Sequence, residues 1–277
     1  MGRSLLIGKP SETIRSIAHA VTAAGSACER VDGDASAIRR LRREQFDVVI
    51  TDPETTIDED LALLDEVRDL SPGVKAIVLA PITTPEEVIA ALRARVFVCL
   101  SAPHDPQQIG LFAARAAADS DWRIDIEVLS AQPEWVSLRV NCRALTADRV
   151  LSFLDELHSE VPHDLRQDLM AAFREVLLSA MATSKAFNEF KVVEVSAVRT
   201  QRTLVFHVRD MVSPCHLYLR AHAAAAGVQT TSVMGKSDAN QPAIVQAPYA
   251  SLLAQHIVDE LICSELGNDI LLIKHTS

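Results

Sequence analysis

The sequence predicts an α/β protein: a doubly wound parallel sheet over residues 1–120, then an α/β sandwich with one helical face over residues 121–277. Three observations predict it. Short apolar runs alternate with amphipathic stretches through the first 120 residues, the order that right-handed crossovers turn into a parallel sheet. One of those runs, Asp47-Val48-Val49-Ile50-Thr51, is continuously apolar, as a strand covered on both faces must be. Beyond Ser120-Asp121 the strand-like runs become strictly alternating and the helical stretches lengthen.

The elements follow in order. Ser4 to Ile7 is a strand-like run. Ser11 to Ala24 carries Ile14, Ile17, Ala18 and Val21 at helical spacing and ends before Gly25. Asp47 to Thr51 is the next strand. Leu61 to Leu70 reads as a helix stopped by Ser71-Pro72-Gly73. Lys75 to Ala80 is a strand. Pro85 to Arg95 is a helix with proline at its start and acids in its first turn, where they suit the dipole. Val96 to Leu100 is a strand and Pro106 to Ala118 the last helix of this half.

In the second half, Trp135 to Asn141 alternates with period two. Ala147 to Val161 and Asp164 to Thr183 read as long helices broken at Pro162. Lys191 to Arg199 and Thr203 to Arg209 are valine-rich, alternating and separated by Thr200-Gln201-Arg202, which predicts an antiparallel hairpin. Val212 to Tyr249 is weak in pattern and predicts a long loop. Leu252 to Leu261 reads as a helix. Asp269 to Lys274 reads as a strand after the turn pair Gly267-Asn268.

Composition narrows the function. A net charge of −10 gives no general attraction to a phosphate backbone or an anionic membrane, so neither nucleic acid nor membrane is an expected partner. Arg39, Arg40, Arg42 and Arg43 form the one basic cluster, read as a solvated helix end. The five cysteines, at 28, 99, 142, 215 and 263, form no CxxC pair, which argues against a disulfide framework and a zinc site. His158, His163, His207, His216 and His222 show no metal-ligand spacing with cysteine. No signal pattern or membrane-length apolar run is visible, so the expected location is the cytoplasm.

Asp52 directly follows a predicted parallel strand and so belongs at the carboxyl edge of the sheet, where open α/β proteins bind ligands. There it can serve as a phosphate acceptor, a metal ligand or a loop residue. Phe46-Asp47-Val48-Val49-Ile50-Thr51-Asp52 and Leu100-Ser101-Ala102-Pro103-His104-Asp105-Pro106 resemble the phosphoacceptor strand and the last strand with its Lys-Pro step in two-component response-regulator receiver domains. The resemblance covers residues 3–118 and implies a flavodoxin-like fold. It also implies an acid pair for a divalent cation, a lysine and a Thr/Ser switch. Here these positions are Gly8-Lys9, Ala102 and Ala80. Only Asp52 remains, with Lys9 nearby as an ammonium in place of the metal, and the reading is a pseudo-receiver.

Glu175 and Ser179 are four apart on the second long helix and share a face. The run Ala172-Phe173-Arg174-Glu175-Val176-Leu177-Leu178-Ser179-Ala180-Met181 resembles the N-box of GHKL, histidine-kinase-like ATPases, and most closely the anti-sigma-factor serine kinases. Phe206-His207-Val208-Arg209-Asp210 resembles the strand that delivers the adenine-reading Asp. Ile257-Val258-Asp259-Glu260-Leu261 through Leu271-Leu272-Ile273-Lys274 resembles the family's last helix and strand. This resemblance covers residues 133–275. It implies Glu175 as general base if the site is active, and Glu175, Ser179 and Asp210 as nucleotide-binding candidates, with ATP and Mg²⁺ as the cofactors. Ser179 stands where the family has the Mg²⁺-ligating Asn. Ala182-Thr183-Ser184, Met211-Val212-Ser213-Pro214-Cys215 and Ala247-Pro248-Tyr249-Ala250-Ser251 stand where it has an acidic-His-Gly run and two glycine-rich segments. Glycine lets backbone amides approach a nucleotide, and Pro214 has no amide to offer.

The two resemblances together imply a cytoplasmic, non-catalytic signal-transduction regulator without a bound cofactor. Its partners would be a sigma factor, an anti-sigma antagonist, a kinase or a second copy of the chain. The alternative is an ATP-dependent anti-sigma factor or protein serine kinase regulated by its receiver-like half.

Overall fold

A computed structural model describes residues 2–120, 122–183, 186–187, 192–210, 257–264 and 269–276. The chain divides into two compact units. One is Met1–Arg123 with Ser152–Ser159, and the other is Ile124–Leu151 with Glu160–Ser277.

The first unit holds five strands: β1 (Arg3–Ile7), β2 (Ala27–Val31), β3 (Val48–Ile50), β4 (Lys75–Ala80) and β5 (Val98–Ser101). All pair in parallel, in the order β2-β1-β3-β4-β5. That is the flavodoxin-like order of doubly wound sheets. The helices are α1 (Glu12–Ala23), α2 (Asp34–Leu41), α3 (Ile57–Leu70), α4 (Pro85–Arg93) and α5 (Pro106–Ala118). α1 packs on α5, while α3 packs on both α2 and α4. Leu5, Ile7 and Val49 meet Ala37, Leu41, Leu63 and Val67 in one apolar cluster. The continuous apolar reading of β3 is borne out, since all three of its residues are buried.

Local signals fix the helix starts. Ser11 caps α1, and its hydroxyl accepts the Ile14 N–H. Thr56-x-x-Glu59 and Thr84-x-x-Glu87 form complete capping boxes on α3 and α4. The first of these starts α3 four residues before the apolar pattern does. β2 and α2 escape a hydrophobicity reading, because β2 carries Glu29 and Arg30 and has no buried residue. Arg40 of the basic cluster pairs with both Glu29 and Glu44, which makes it part of an ion network and not a free patch.

The second unit contains β6 (Ile126–Gln132), β7 (Trp135–Asn141), α7 (His163–Met181), two two-residue strands, β8 (Ala182–Thr183) and β9 (Ala186–Phe187), then β10 (Val192–Arg199), β11 (Thr203–Asp210), β12 (Glu260–Cys263) and β13 (Asp269–His275). Helix α6 (Ala144–Leu157) begins in this unit, and its last residues belong to the first. The large sheet is antiparallel, in the order β12-β13-β11-β10-β7-β6, and the predicted hairpin is β10–β11. Val136, Leu138, Val140, Val193, Val195, Ala197, Leu204, Phe206 and Val208 are all buried at alternate positions. α7 packs on β10 and β11, with the Phe173 and Phe206 rings 5.0 Å apart.

Two readings need correction. The helix read from Asp164 to Thr183 ends at Met181, and Ala182–Thr183 is β8. The stretch Leu252 to Leu261, read as a helix, ends in β12, where Glu260 and Leu261 pair with Ile273 and Leu272. The same correction removes the family's last helix at Glu260-Leu261. A short apolar run does not distinguish a strand from a buried helix by periodicity alone. Here the edge of the sheet decides: Asp259 accepts the His275 N–H (2.6 Å) and the Lys274 ammonium (3.1 Å), fixing the register. Residues 251–256, the predicted loop from Val212 to Tyr249 and the Gly267-Asn268 turn lie outside the described residues.

Candidate functional site

The carboxyl edge of the parallel sheet gathers the ends of β1, β3, β4 and β5. Gly8 follows β1 with φ +146°. A Cβ at Gly8 would stand 2.5 Å from Ile14 Cδ1 and 3.4 Å from Asp52 Cγ. The chain therefore passes directly beside the Asp52 carboxyl, and the residue there has to be glycine for both backbone and space.

Asp52 is half-buried and turned toward its own loop. Its Oδ1 accepts the Glu54 N–H at 3.1 Å. Its carbonyl accepts the Thr55 N–H at 3.2 Å and the Thr55 hydroxyl at 2.7 Å. This is the local pattern by which Asp side chains stabilise turns. Lys9 is exposed and makes no ion pair with Asp52. Ala80 is buried at the end of β4, and Ala102 is exposed after β5. Neither side chain can donate to a phosphoryl group.

Two acids flank Asp52. Asp34, at the start of α2, is held above the usual carboxylate range by burial and then by Asp52, Glu59 and Glu66. Asp60, on α3, is only 2% exposed. Its Oδ2 accepts from the Thr51 hydroxyl at 2.5 Å, and its Oδ1 lies 2.8 Å from the Thr55 hydroxyl. Thr51 Oγ1 in turn accepts the Leu79 N–H at 3.0 Å, which ties β3 to β4. Burial pushes Asp60 up to about 7, against the two hydroxyls and with help from Asp34 and Asp52. Burial likewise raises the Cys99 thiol on β5, with Glu156 and Asp60 adding to it. His104 stands half-buried next to the cis Ala102-Pro103 step, and burial holds its imidazole below the usual range.

A further carboxylate occupies the β4–β5 side of the same edge. Glu156, from the α6 residues that belong to this unit, accepts the Ser101 N–H at 2.8 Å and the buried Thr83 hydroxyl at 3.1 Å. Sequence reading singled out Asp52 at this edge but not Thr51, Thr55, Asp60, Thr83 or Glu156. The Thr56 capping box is the signal that could have placed Asp60 one turn behind Asp52.

In the second unit, Glu175 is exposed on α7 and Ser179 is half-buried one turn later. Arg174 pairs with Asp148, not with an acid of its own helix. Asp210 is buried at the end of β11, opposite Val193. On the other face of this sheet Asp269 accepts from His207 (3.0 Å) and Arg209 (3.1 Å). His158 is buried with Nδ1 2.7 Å from the Leu154 carbonyl, an ordinary helix contact. Residues 211–215 and 247–251, along with His216 and His222, lie outside the described residues.

No family model and no curated protein matches the chain. Solved structures do. A response regulator from Thermotoga maritima is 19% identical, with 43% of this chain and 100% of that chain covered and a TM-score of 0.39. A phosphorylated response regulator from Burkholderia pseudomallei is 19% identical over 44% of this chain and 69% of that one, with a TM-score of 0.37. A putative pilus assembly-related protein from the same organism is 23% identical over 44% and 95%, with a TM-score of 0.37. The likeness lies in the N-terminal unit. That unit has the strand order β2-β1-β3-β4-β5. Among the described residues no group of three or more His, Cys, Asp and Glu could hold a metal ion, and no helix is long and apolar enough to cross a membrane.

Proposed function

We propose that this chain is a signal-transduction regulator that works through protein contacts, with a receiver-like unit that does not run phosphoryl transfer. The observation that carries this reading is the state of Asp52. Its carboxylate bonds to its own loop, and glycine and two alanines stand around it where a phosphoryl group would need an acid, a hydroxyl and an ammonium. A phosphoryl group brings about two negative charges at neutral pH. Asp34 is an acidic neighbour of Asp52, and Lys9 makes no ion pair with either, so no ammonium of Lys9 offsets the added charge. The second unit supports the same reading through residue types. Ser179 is a weak Mg²⁺ ligand, and the segments that would cradle phosphates lack glycine. The partners this reading names are a sigma factor, an anti-sigma antagonist, a kinase or a second copy of the chain, met in the cytoplasm.

The competing reading is an ATP-dependent anti-sigma factor or serine kinase, and the buried Asp210 at the end of β11 is the observation that favours it. Calorimetric titration of the full chain with ATP, with and without Mg²⁺, separates the two. The regulator reading expects no saturable heat at high micromolar nucleotide. Mg²⁺-dependent binding that Asp210→Asn abolishes would overturn it in favour of the kinase.

A further inference from the structure

An ionised Asp60 leaves the hydrogen bonds around it one proton short. The Thr55 hydroxyl carries a single proton, yet it lies 2.7 Å from the Asp52 carbonyl and 2.8 Å from Asp60 Oδ1. Both of those atoms are acceptors if Asp60 is ionised, so one contact goes unmade or the proton is shared poorly between two. A proton on Oδ1 resolves the conflict. Asp60 then donates to Thr55, Thr55 donates to the Asp52 carbonyl, and Oδ2 still accepts from Thr51. Both oxygens of Asp60, both hydroxyls and the Leu79 N–H are then satisfied in one chain of bonds.

We propose that Asp60 carries a proton in the folded chain and acts as a proton-operated latch on the loop that carries Asp52. Burial and the neighbouring acids favour the neutral form, and only the two hydroxyls oppose it. Asp60 is buried, and no cation lies within ion-pair distance of it among the described residues. Asp34 faces it from the start of α2 and Asp52 from the β3–α3 loop, and both are acidic. From β5 the neighbouring group is the Cys99 thiol, which burial keeps neutral. Burying an unpaired carboxylate beside two others is costly, and the group takes up a proton instead. The short Thr51 bond is the strong donor left to the ionised form, which is why the balance falls near neutrality and not far above it.

Ionisation has a defined structural consequence. The Thr55 proton is drawn to the carboxylate, the Asp52 carbonyl loses a donor, and Asp60 repels Asp52 and Asp34. The loop from Asp52 to Thr56 is released as pH rises. The latch stands whether or not the chain regulates a protein partner, since it rests on the geometry of one loop.

Carbon-13 NMR titration of aspartate carboxyls in the full chain tests it. One aspartate should titrate near pH 7, with the Glu54 and Leu79 amides following the same midpoint. Asp60→Asn should remove that titration. Thr51→Val keeps the carboxyl but removes its strong donor, and should move the midpoint upward, which identifies Asp60 even if the Asn variant does not fold. The proposal is overturned if every aspartate titrates in the ordinary carboxylate range, or if the neutral midpoint survives Asp60→Asn or is unmoved by Thr51→Val.

Discussion

The Glu156 carboxylate accepts the Ser101 backbone N–H at 2.8 Å, so a residue far along the chain closes the end of the last parallel strand. Thr83 donates to its other oxygen, and the group is buried. Glu156→Ala leaves a buried hydroxyl and a strand-end amide without partners, which costs about 1–3 kcal/mol for such groups. Glu156→Gln keeps an acceptor and should lose less than half as much. Urea unfolding of both variants checks the order, and equal losses would show that volume matters more than the hydrogen bonds.

Gly8→Ala should destabilise the first unit by about 1–3 kcal/mol, because the backbone is strained for any side chain at this φ. The Cβ also meets Ile14 Cδ1 at 2.5 Å. Ile14→Val, which shortens the obstructing side chain, should recover part of the loss in the double variant. Chemical denaturation of the single and double variants measures this.

Stability should fall as pH rises from about 4 to 7. Asp60 in the unfolded chain titrates near its ordinary 3.8, and in the folded chain near 7. Across that window the native state holds a proton that the unfolded state has lost, so the slope of unfolding free energy against pH is negative, up to about 1.4 kcal/mol per pH unit for one proton. Below pH 4 both states are protonated and the contribution is constant. Asp60→Asn should flatten the window, as read from unfolding midpoints at matched ionic strength.

The Cys28 and Cys99 thiols should resist alkylation in the native state. Burial raises Cys28 to about 11 and Cys99 further, which leaves little thiolate at neutral pH. Iodoacetamide labelling followed by mass spectrometry should modify them only on denaturation.

Strands buried on both faces are legible because the side chains there are mostly apolar. Lys75–Ala80 and Pro106–Ala118 were placed to the residue, and β3 within one residue at each end. β2 was not, since an edge strand carrying Glu29 and Arg30 has no hydrophobic signature. The pattern at Glu260-Leu261 predicts a helix and the structure has β12, because a short apolar segment takes its form from β13 beside it. Asp52 was legible from its place after a strand. Asp60 was not, because an acid on an amphipathic helix reads as solvated until packing shows Thr51 and Thr55 closing over it. Glu156 was invisible for a different reason: its partners, Thr83 and Ser101, are more than fifty residues away.

The most direct test of the account is the mass of the intact chain after incubation with acetyl phosphate and Mg²⁺. No Mg²⁺-dependent phosphoryl addition is expected, and the native chain and Asp52→Asn should give identical spectra. Near-stoichiometric addition that requires Mg²⁺ and disappears in Asp52→Asn would contradict it, and would make the first unit a working receiver.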